Sequence, residues 1–277
     1  MRVQKNETLD IPAQPHVVAE LSKMISSADL NFSKVAKIVQ KDPALVARIL
    51  KVANSPVFGL RRKIDSIDAA LNMMGLSLFQ RAVLASALRE VYERESPANW
   101  SMFWTHSELV AKCCELIANR FCRELSGEAF LLGLFHDCGI PILIKKFSGY
   151  AKLSEMAMSS HKFSITIEDE EYKTNHAIIG YLLTRSWGLP ESIRSAILNH
   201  HNCDNVTSDF DMKSRQLLSI LKLSEYIVKG YDSTGNVKVL SAVEWLDNNA
   251  LCADVFGFTE DDIDEIMHNF LNIVSEA

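Results

Sequence analysis

Residues 130–141 read Phe-Leu-Leu-Gly-Leu-Phe-His-Asp-Cys-Gly-Ile-Pro, which places His136 and Asp137 at the end of an apolar run. A helix that is apolar on nearly every side is expected to be buried. Gly139 and Pro141 then mark its C-terminus. An ionised aspartate inside a core needs partners, because an unpaired buried charge costs on the order of several kcal/mol. A metal ion, an arginine or a set of backbone donors would each satisfy it.

Other histidines lie in settings that point inward. His106 lies on the apolar face of an amphipathic helix, and His176 follows Asn175, which is a natural N-cap. A buried stripe ends in His200 and His201, although this pair alone also fits a positive charge favoured at a helix C-terminus. A lone histidine on an apolar face is usually a satisfied core residue, so the joint occurrence carries the metal hypothesis. Imidazole and carboxylate ligands together suit Fe, Mn, Zn or Ni better than Ca or Mg.

Helical periodicity dominates the rest of the chain. Only 11 glycines and 7 prolines occur in 277 residues, which argues against an all-β fold with many turns. Predicted helices lie near residues 33–40, 43–53, 66–75, 77–93, 100–122, 127–137, 141–158, 165–172, 176–187, 191–201, 212–229, 238–248 and 260–275. The prediction is therefore an all-α, two-lobed helical bundle. The polar linker at residues 95–99 divides a first lobe, 1–95, from a second, 96–235, and residues 236–277 form a helical extension.

The composition excludes several classes of protein. The net charge of −6 makes the chain a poor general binder of nucleic acid or of anionic membranes. No run of 18 apolar residues and no secretory signal occur, so we predict a cytoplasmic location. The six cysteines form no Cys-x-x-Cys pair, which favours buried, reduced thiols. No room remains for a sensory or receiver domain, so we expect a stand-alone module.

These motifs, in this order, resemble the HDOD domain, the HD-related output domain of the HD and HD-GYP-like metal-dependent phosphohydrolase superfamily. The resemblance covers roughly residues 10–230 and is specific only when the motifs are taken together. The matching segments are Ile-Pro-Ala-Gln-Pro at 11–15, the stretches 40–50, 52–59 and 66–76, Phe-Trp-Thr-His-Ser at 103–107, Leu-Phe-His-Asp at 134–137, Asn-His at 175–176 and Trp-Gly-Leu-Pro at 187–190.

The resemblance implies a two-lobed helical domain of bacterial signal transduction, in which many members have lost metal ligands and act as regulatory or protein-interaction modules. It also implies a site for one or two transition-metal ions, in which Asp137 would ligate both ions and orient a hydroxide for catalysis. Glu225 stands where the family pattern has a final Asp ligand, and its side chain is one methylene longer. The implied metal ligands are His106, His136, Asp137, His176, His200, His201 and Glu225.

Three departures from the enzymatic pattern count against activity. Ile140 stands where related enzymes carry a lysine, Asn-Cys-Asp-Asn at 202–205 replaces the GYP loop, and Met102 replaces a glutamate of trinuclear members. These departures favour a signalling module with protein partners over a phosphohydrolase. The alternative is a metal-dependent phosphodiesterase or phosphatase acting on a phosphorylated small molecule or a cyclic dinucleotide. The basic run at 61–63 would then clamp phosphate, although such a run is more often a solvated loop. The sequence leaves catalytic activity, substrate, metal identity, partner and oligomeric state open.

Overall fold

The computed structural model describes residues 10–25, 32–54, 62–95, 100–153, 165–202, 210–230 and 241–275. These ranges form helices and no strand, so the all-α prediction is confirmed. The helices are α1 (His16–Ile25), α2 (Phe32–Val39), α3 (Pro43–Ala53), α4 (Ile67–Glu95), α5 (Ser101–Phe121), α6 (Ser126–Phe135), α7 (Ile140–Lys146), α8 (Ile165–Tyr172), α9 (His176–Ser186), α10 (Glu191–Asn199), α11 (Met212–Lys229), α12 (Ala242–Asn248), α13 (Ala250–Asp254) and α14 (Glu260–Ser275).

The first part of the chain packs α1, α2 and α3 on the long helix α4. Asp42 caps α3, as predicted, because its side chain accepts hydrogen bonds from the backbone N–H groups of residues 44 and 45 while Pro43 occupies the first turn. Gly75 has φ 69° and ψ 174°, a conformation that favours glycine and is not helical, so α4 consists of two helical segments that meet at Gly75. The predicted break at Gly75 is confirmed.

The second part of the chain is a bundle around α5 and α6. Helix α11 packs on α5, α6 and α10, and α9 packs on α7 and α10. The approach of α6 to α5 is close at Gly133, where an added Cβ would lie 2.6 Å from the Cα of Ala111. Beyond α11, α13 packs on α11 and α14 packs on α5.

Several helix boundaries differ from the prediction. Helix α1 was not predicted. Helix α6 ends at Phe135, so His136 and Asp137 lie in the following turn, which the Ile140 N–H closes on the Asp137 carbonyl at 2.9 Å. Helix α7 ends at Lys146 instead of 158, because Phe147 adopts an extended conformation.

Trp187 connects the two parts of the chain. Its indole N–H donates to the carbonyl of Pro12 at 3.1 Å, and its own carbonyl accepts from the Gln14 side chain at 2.6 Å. The Trp187 ring also makes an edge contact with Phe135, at 6.0 Å between centroids. The Trp-Gly-Leu-Pro and Ile-Pro-Ala-Gln-Pro motifs therefore contact each other, next to the ring of Phe135, the residue before His136.

Tyr92, on α4, makes a second connection. Its ring stacks on Trp104 of α5, with centroids 5.8 Å apart, and its hydroxyl donates to the carbonyl of Cys138. Burial raises the pKa of Tyr92 well above its ordinary value, so the hydroxyl stays a donor. The turn that carries Asp137 is thereby held from the first half of the chain.

The predicted divisions at 95/96 and 235/236 adjoin residues 96–99 and 231–240, which lie outside the described residues, and they stay predictions. Cys203 and Arg61 also fall outside. The five cysteines that are described are buried, as expected of reduced thiols.

Two segments are long and apolar enough to cross a membrane by length and composition alone, Ile67–Glu93 and Arg123–Lys146. Their apolar windows are 50% and 78% buried inside the fold, as in the core helices of a soluble protein. The second segment is also interrupted by the turn between α6 and α7. The cytoplasmic location itself stays a prediction.

Gly139 generates a stability prediction. A Cβ at this position would lie 2.0 Å from the backbone carbonyl oxygen of His176, so Gly139→Ala must push the turn away from α9. We expect a loss of about 3 kcal/mol in the free energy of unfolding, measured by denaturant titration. Gly127→Ala is the matched control, because its Cβ would meet only Ser77 Oγ, at 3.8 Å, within a helix that favours alanine. Equal stability of the two variants would contradict the close approach.

Candidate metal centre

Six of the seven predicted ligands converge at the ends of neighbouring helices. They form two groups that share Asp137, and within each group one ligand atom from every residue lies within 4.8 Å of the others. The first group is Asp137, His176, His200 and His201, and the second is His106, His136 and Asp137.

Asp137 presents a different oxygen to each group. Its Oδ1 lies 3.5 Å from Nε2 of His176 and 3.6 Å from Nε2 of His200. Its Oδ2 lies 3.2 Å from Nε2 of His136 and 4.0 Å from Nε2 of His106. This carboxylate is therefore the link between the two groups.

Backbone carbonyls orient two of the imidazoles. The Nδ1–H of His136 donates to the Gly133 carbonyl at 2.7 Å, and that of His200 donates to the Ile197 carbonyl at 2.6 Å. Each histidine follows the last residue of a helix, where carbonyls lack intrahelical partners. Because Nδ1 is the donor in both rings, Nε2 is the nitrogen that faces Asp137, and it carries the lone pair whenever the ring is neutral.

A buried carboxylate orients the third imidazole. Glu168, which is 1% exposed, accepts from Nδ1 of His176 at 2.9 Å and from the His176 backbone N–H at 2.8 Å. Tyr150 donates its hydroxyl to the same carboxylate at 2.6 Å. Asn175 caps α9, as predicted, by accepting from the N–H of residue 178. Such a carboxylate–histidine pair is typical of the outer shell of metal sites.

Glu168 is not among the site residues predicted from the sequence. It lies in the acidic stretch Glu-Asp-Glu-Glu, which reads as a solvated helix face. The available signal was helical spacing, since Glu168 is three residues after Ile165 and four before Tyr172 and so shares their apolar face.

The charges in the cluster perturb one another. Burial alone would raise the pKa of Asp137, but His136 and the other imidazoles hold it well below its ordinary value. Burial opposes the charged form of His136, but Asp137 outweighs it and raises the His136 pKa to about 9. Burial, then the adjacent His136, lower the pKa of His106 to about 4. Asp137 is thus an anion at neutral pH and the protonated ring of His136 beside it is a cation, whose place a bound metal ion would take.

The residues fit a transition metal. Nε2 of His136 is buried and has no hydrogen-bond partner, although every other requirement of that ring is met. The separations of Nε2 of His176 from Nε2 of His200, 3.4 Å, and from Oδ1 of Asp137, 3.5 Å, match the edge of about 3.4 Å expected of a tetrahedral site with bonds near 2.1 Å. Nε2 of His201 lies 2.7 Å from Nε2 of His176, closer than such an edge, so His201 would have to move away from His176 to bind the same ion. The residues around Asp137 therefore supply the donor atoms of a metal centre and most of its spacing.

Glu225 lies outside both groups, although its charge raises the pKa of His106, His136 and His200, and its place in the ligand set stays a prediction. It is 7% exposed on α11, and its Oε2 lies 3.7 Å from Nζ of Lys222, one turn earlier. The longer side chain thus has a cationic partner on its own helix. Two positions that depart from the enzymatic pattern carry side chains without a charge: Ile140, which is 1% exposed, and Met102, which is 63% exposed.

Comparisons with known proteins identify the family of this chain. The model of the HDOD domain matches residues 11–203, which is more than half of the chain, and the chain belongs to the HDOD family. An uncharacterized protein of Treponema pallidum is 22% identical over 227 residues, which cover 80% of this chain and 43% of that protein. The chain spans less than half the length of the curated relatives it matches.

Solved structures establish the fold. An HDOD domain protein of unknown function from Geobacter sulfurreducens is 23% identical with a TM-score of 0.73, covering 96% of this chain and 91% of that chain. A candidate phosphohydrolase from Shewanella amazonensis is 22% identical with a TM-score of 0.73, covering 95% of this chain and 90% of that chain. At sequence identities this low, the similarity to these structures shows that the helical fold is shared and shows nothing about activity.

The Glu168–His176 pair generates a prediction about metal affinity. Glu168→Gln removes the charge that holds the His176 ring, so we expect transition-metal affinity to fall about 10–100-fold, measured by competition with a chelator. Glu170→Gln is the matched control, because Glu170 lies exposed on the same helix. Unchanged affinity in Glu168→Gln would separate Glu168 from the metal centre.

Proposed function

We propose that this chain is a regulatory HDOD module whose helical bundle is built around one or two transition-metal ions. The ligands would be His106, His136, Asp137, His176, His200 and His201. The observation that carries the proposal is the buried, unpartnered Nε2 of His136, which faces Asp137 among oriented imidazoles. A metal ion bound there would give this nitrogen a partner and remove the cost of about 1–3 kcal/mol that an unsatisfied buried group carries.

The regulatory role is favoured over catalysis by the missing cation. A lysine three residues after the aspartate would neutralise charge that develops on a phosphate ester, and Ile140 removes it. Loss of one such group typically costs about 10²–10³ in rate. A centre that keeps its ligands without this group is suited to structural and ligand-responsive roles, with protein partners in signalling as the output.

Different residues of this chain would have different roles at the metal centre. Asp137 would bridge the two groups of ligands through its two oxygens, and Glu168 would hold His176 in place. His106 and His201 lie at the exposed side, where a ligand would enter. When bound, the metal supplies a Lewis acid that polarises a phosphoryl oxygen.

Metal content tests the proposal. We expect purified protein to carry one to two transition-metal ions per chain by elemental analysis, and Asp137→Asn to lose most of them because it removes the shared charge. Metal at 100 times its dissociation constant should raise the free energy of unfolding by about 2.7 kcal/mol in the wild type. Glu170→Gln should behave as the wild type. Protein that stays metal-free after incubation with Fe, Mn, Zn and Ni would refute the centre.

A metal-dependent phosphohydrolase is the second candidate. It is favoured by one observation, the partial exposure of His106 and His201, which leaves an access route from solvent to Asp137. A phosphorylated small molecule or a cyclic dinucleotide would be its substrate.

Hydrolysis assays distinguish the two candidates. The regulatory proposal expects metal-loaded protein to hydrolyse 4-nitrophenyl phosphate and cyclic di-GMP at rates near the metal-free background, because no cation stands at residue 140. Fast, metal-dependent turnover that Asp137→Asn abolishes would establish the phosphohydrolase instead.

A further inference from the structure

A cavity of about 400 Å³ lies between α3, α4 and α5. This volume is within the range of about 300–1,000 Å³ that is typical of small-molecule sites. We call it the α3–α5 cavity, and the described residues that line it include none of the predicted metal ligands. The lining residues that matter for its chemistry are Lys51 of α3, Arg89 and Glu93 of α4, and Trp100, Trp104 and Glu108 at α5.

Two tryptophans form the aromatic wall of the α3–α5 cavity. Trp100 precedes the first residue of α5 and Trp104 lies one turn later, and they are 8% and 6% exposed. Both rings pack around Tyr92 of α4, with centroids 6.3 Å and 5.8 Å from that of Tyr92. The indole Nε1 of each tryptophan is buried and has no hydrogen-bond partner among the described residues. Because buried side-chain donors are nearly always hydrogen-bonded, two such donors at one cavity indicate an acceptor that the chain itself does not supply.

The start of α5 makes the same wall electropositive. Within the described part of the chain, no side chain caps this helix of 21 residues, and its first turn carries no acid. The first N–H groups of a helix lack intrahelical partners, and the helix dipole places partial positive charge at this end. A negatively charged ligand group beside Trp100 and Trp104 is therefore favoured.

The charged side chains of the cavity differ in whether they are paired. Arg89 forms an ion pair with Glu108, and its guanidinium carbon lies 5.1 Å from the centroid of the Trp104 ring. Lys51 and Glu93 are exposed, and neither forms an ion pair with the described residues. The groups left without partners are thus three donors, which are the two indoles and the Lys51 ammonium, and a single acceptor, the Glu93 carboxylate.

We propose that the α3–α5 cavity binds a small organic monocarboxylate whose apolar part lies against the two indole rings. Its carboxylate accepts hydrogen bonds from the N–H groups of Trp100 and Trp104 and faces the Lys51 ammonium, since an ionised carboxylate is an acceptor with room for several donors. Glu93 favours a ligand with one negative charge, because it repels a second. The cavity is a site separate from the metal centre, and the proposal holds whether or not a metal ion binds.

Three probes that share one ring test the chemical class. Benzoate, benzyl alcohol and benzylamine carry a negative charge, no charge and a positive charge, and each is titrated into the full-length chain by calorimetry and by tryptophan fluorescence. Both indole nitrogens are covered by protein atoms, so a ligand reaches them only if the rings turn, and benzoate should therefore shift the emission. We expect benzoate to bind about tenfold more tightly than benzyl alcohol, because only benzoate makes charge-assisted hydrogen bonds. Tighter binding of benzylamine than of benzoate would overturn the proposed class.

Variants of the two tryptophans locate the site. Trp100→Phe and Trp104→Phe each keep an aromatic ring but remove one N–H donor, so each should weaken benzoate binding about tenfold. Trp245→Phe is the matched control, because Trp245 lies on α12, outside the cavity, and this variant should bind benzoate as the wild type does.

Variants of the two exposed charges should act in opposite directions. Lys51→Met should weaken benzoate binding about threefold and Glu93→Gln should strengthen it about threefold, since interactions of exposed charges are modest. Lys37→Met is the matched control, because Lys37 is exposed on α2 and does not line the cavity. A purely structural role of these residues would not produce effects of opposite sign. No binding of benzoate, or binding that Trp100→Phe, Trp104→Phe and Lys51→Met all leave unchanged, would overturn the proposal.

Discussion

The ionised carboxylate of Asp137 is the constraint on which the rest of the structure depends. Asp137 is 6% exposed, and an unpaired charge at such a position would cost on the order of several kcal/mol. Imidazoles from the ends of separate helices surround this charge, and His136, His176 and His200 all direct Nε2 toward the two carboxylate oxygens of Asp137. Bringing helix ends together around one anion dictates how closely those helices must approach.

The close approach of these helices explains why glycines lie at their contacts and why a second buried acid, Glu168, supports one of the imidazoles. Gly139 allows the turn after Asp137 to lie against the backbone of His176, and Gly133 allows α6 to lie against α5. Glu168 is a second buried carboxylate, but it is satisfied entirely by Tyr150, the His176 ring and a backbone N–H. The two acids therefore differ in kind: the contacts of Glu168 are complete without a cation, whereas those of Asp137 leave Nε2 of His136 without a hydrogen-bond partner.

Local signals made much of this predictable from sequence. The caps Asp42 and Asn175 were identified because capping depends on neighbouring residues, and the buried position of His136 followed from the apolar run before it. Helix α1 and the partner role of Glu168 were missed. Glu168 contacts a histidine eight residues away through a turn, and an acidic helix gives no indication of which of its acids faces inward.

Glu225 is the position at which the family pattern and the geometry point in different directions. The family pattern indicates a ligand, and the exchange of Asp for Glu keeps the carboxylate. The side chain lies beside Lys222 on its own helix and outside both ligand groups, yet it is buried and its charge acts on His136 and His200. Its place in the ligand set therefore stays a prediction, because the sequence gives the residue type and its spacing but not the direction in which a side chain one methylene longer extends.

The connections to the first half of the chain give the centre a route to a regulatory output. Tyr92 bonds the carbonyl of the residue after Asp137, and Trp187 packs on the residue before His136 while it holds Pro12. A ligand alters a protein's conformational equilibrium only through contacts that differ between two states. Within the proposed module, ordering of the Asp137 turn by bound metal would act on both contacts at once. These two hydrogen bonds are then contacts through which a change at the site would reach α4 and the segment before α1.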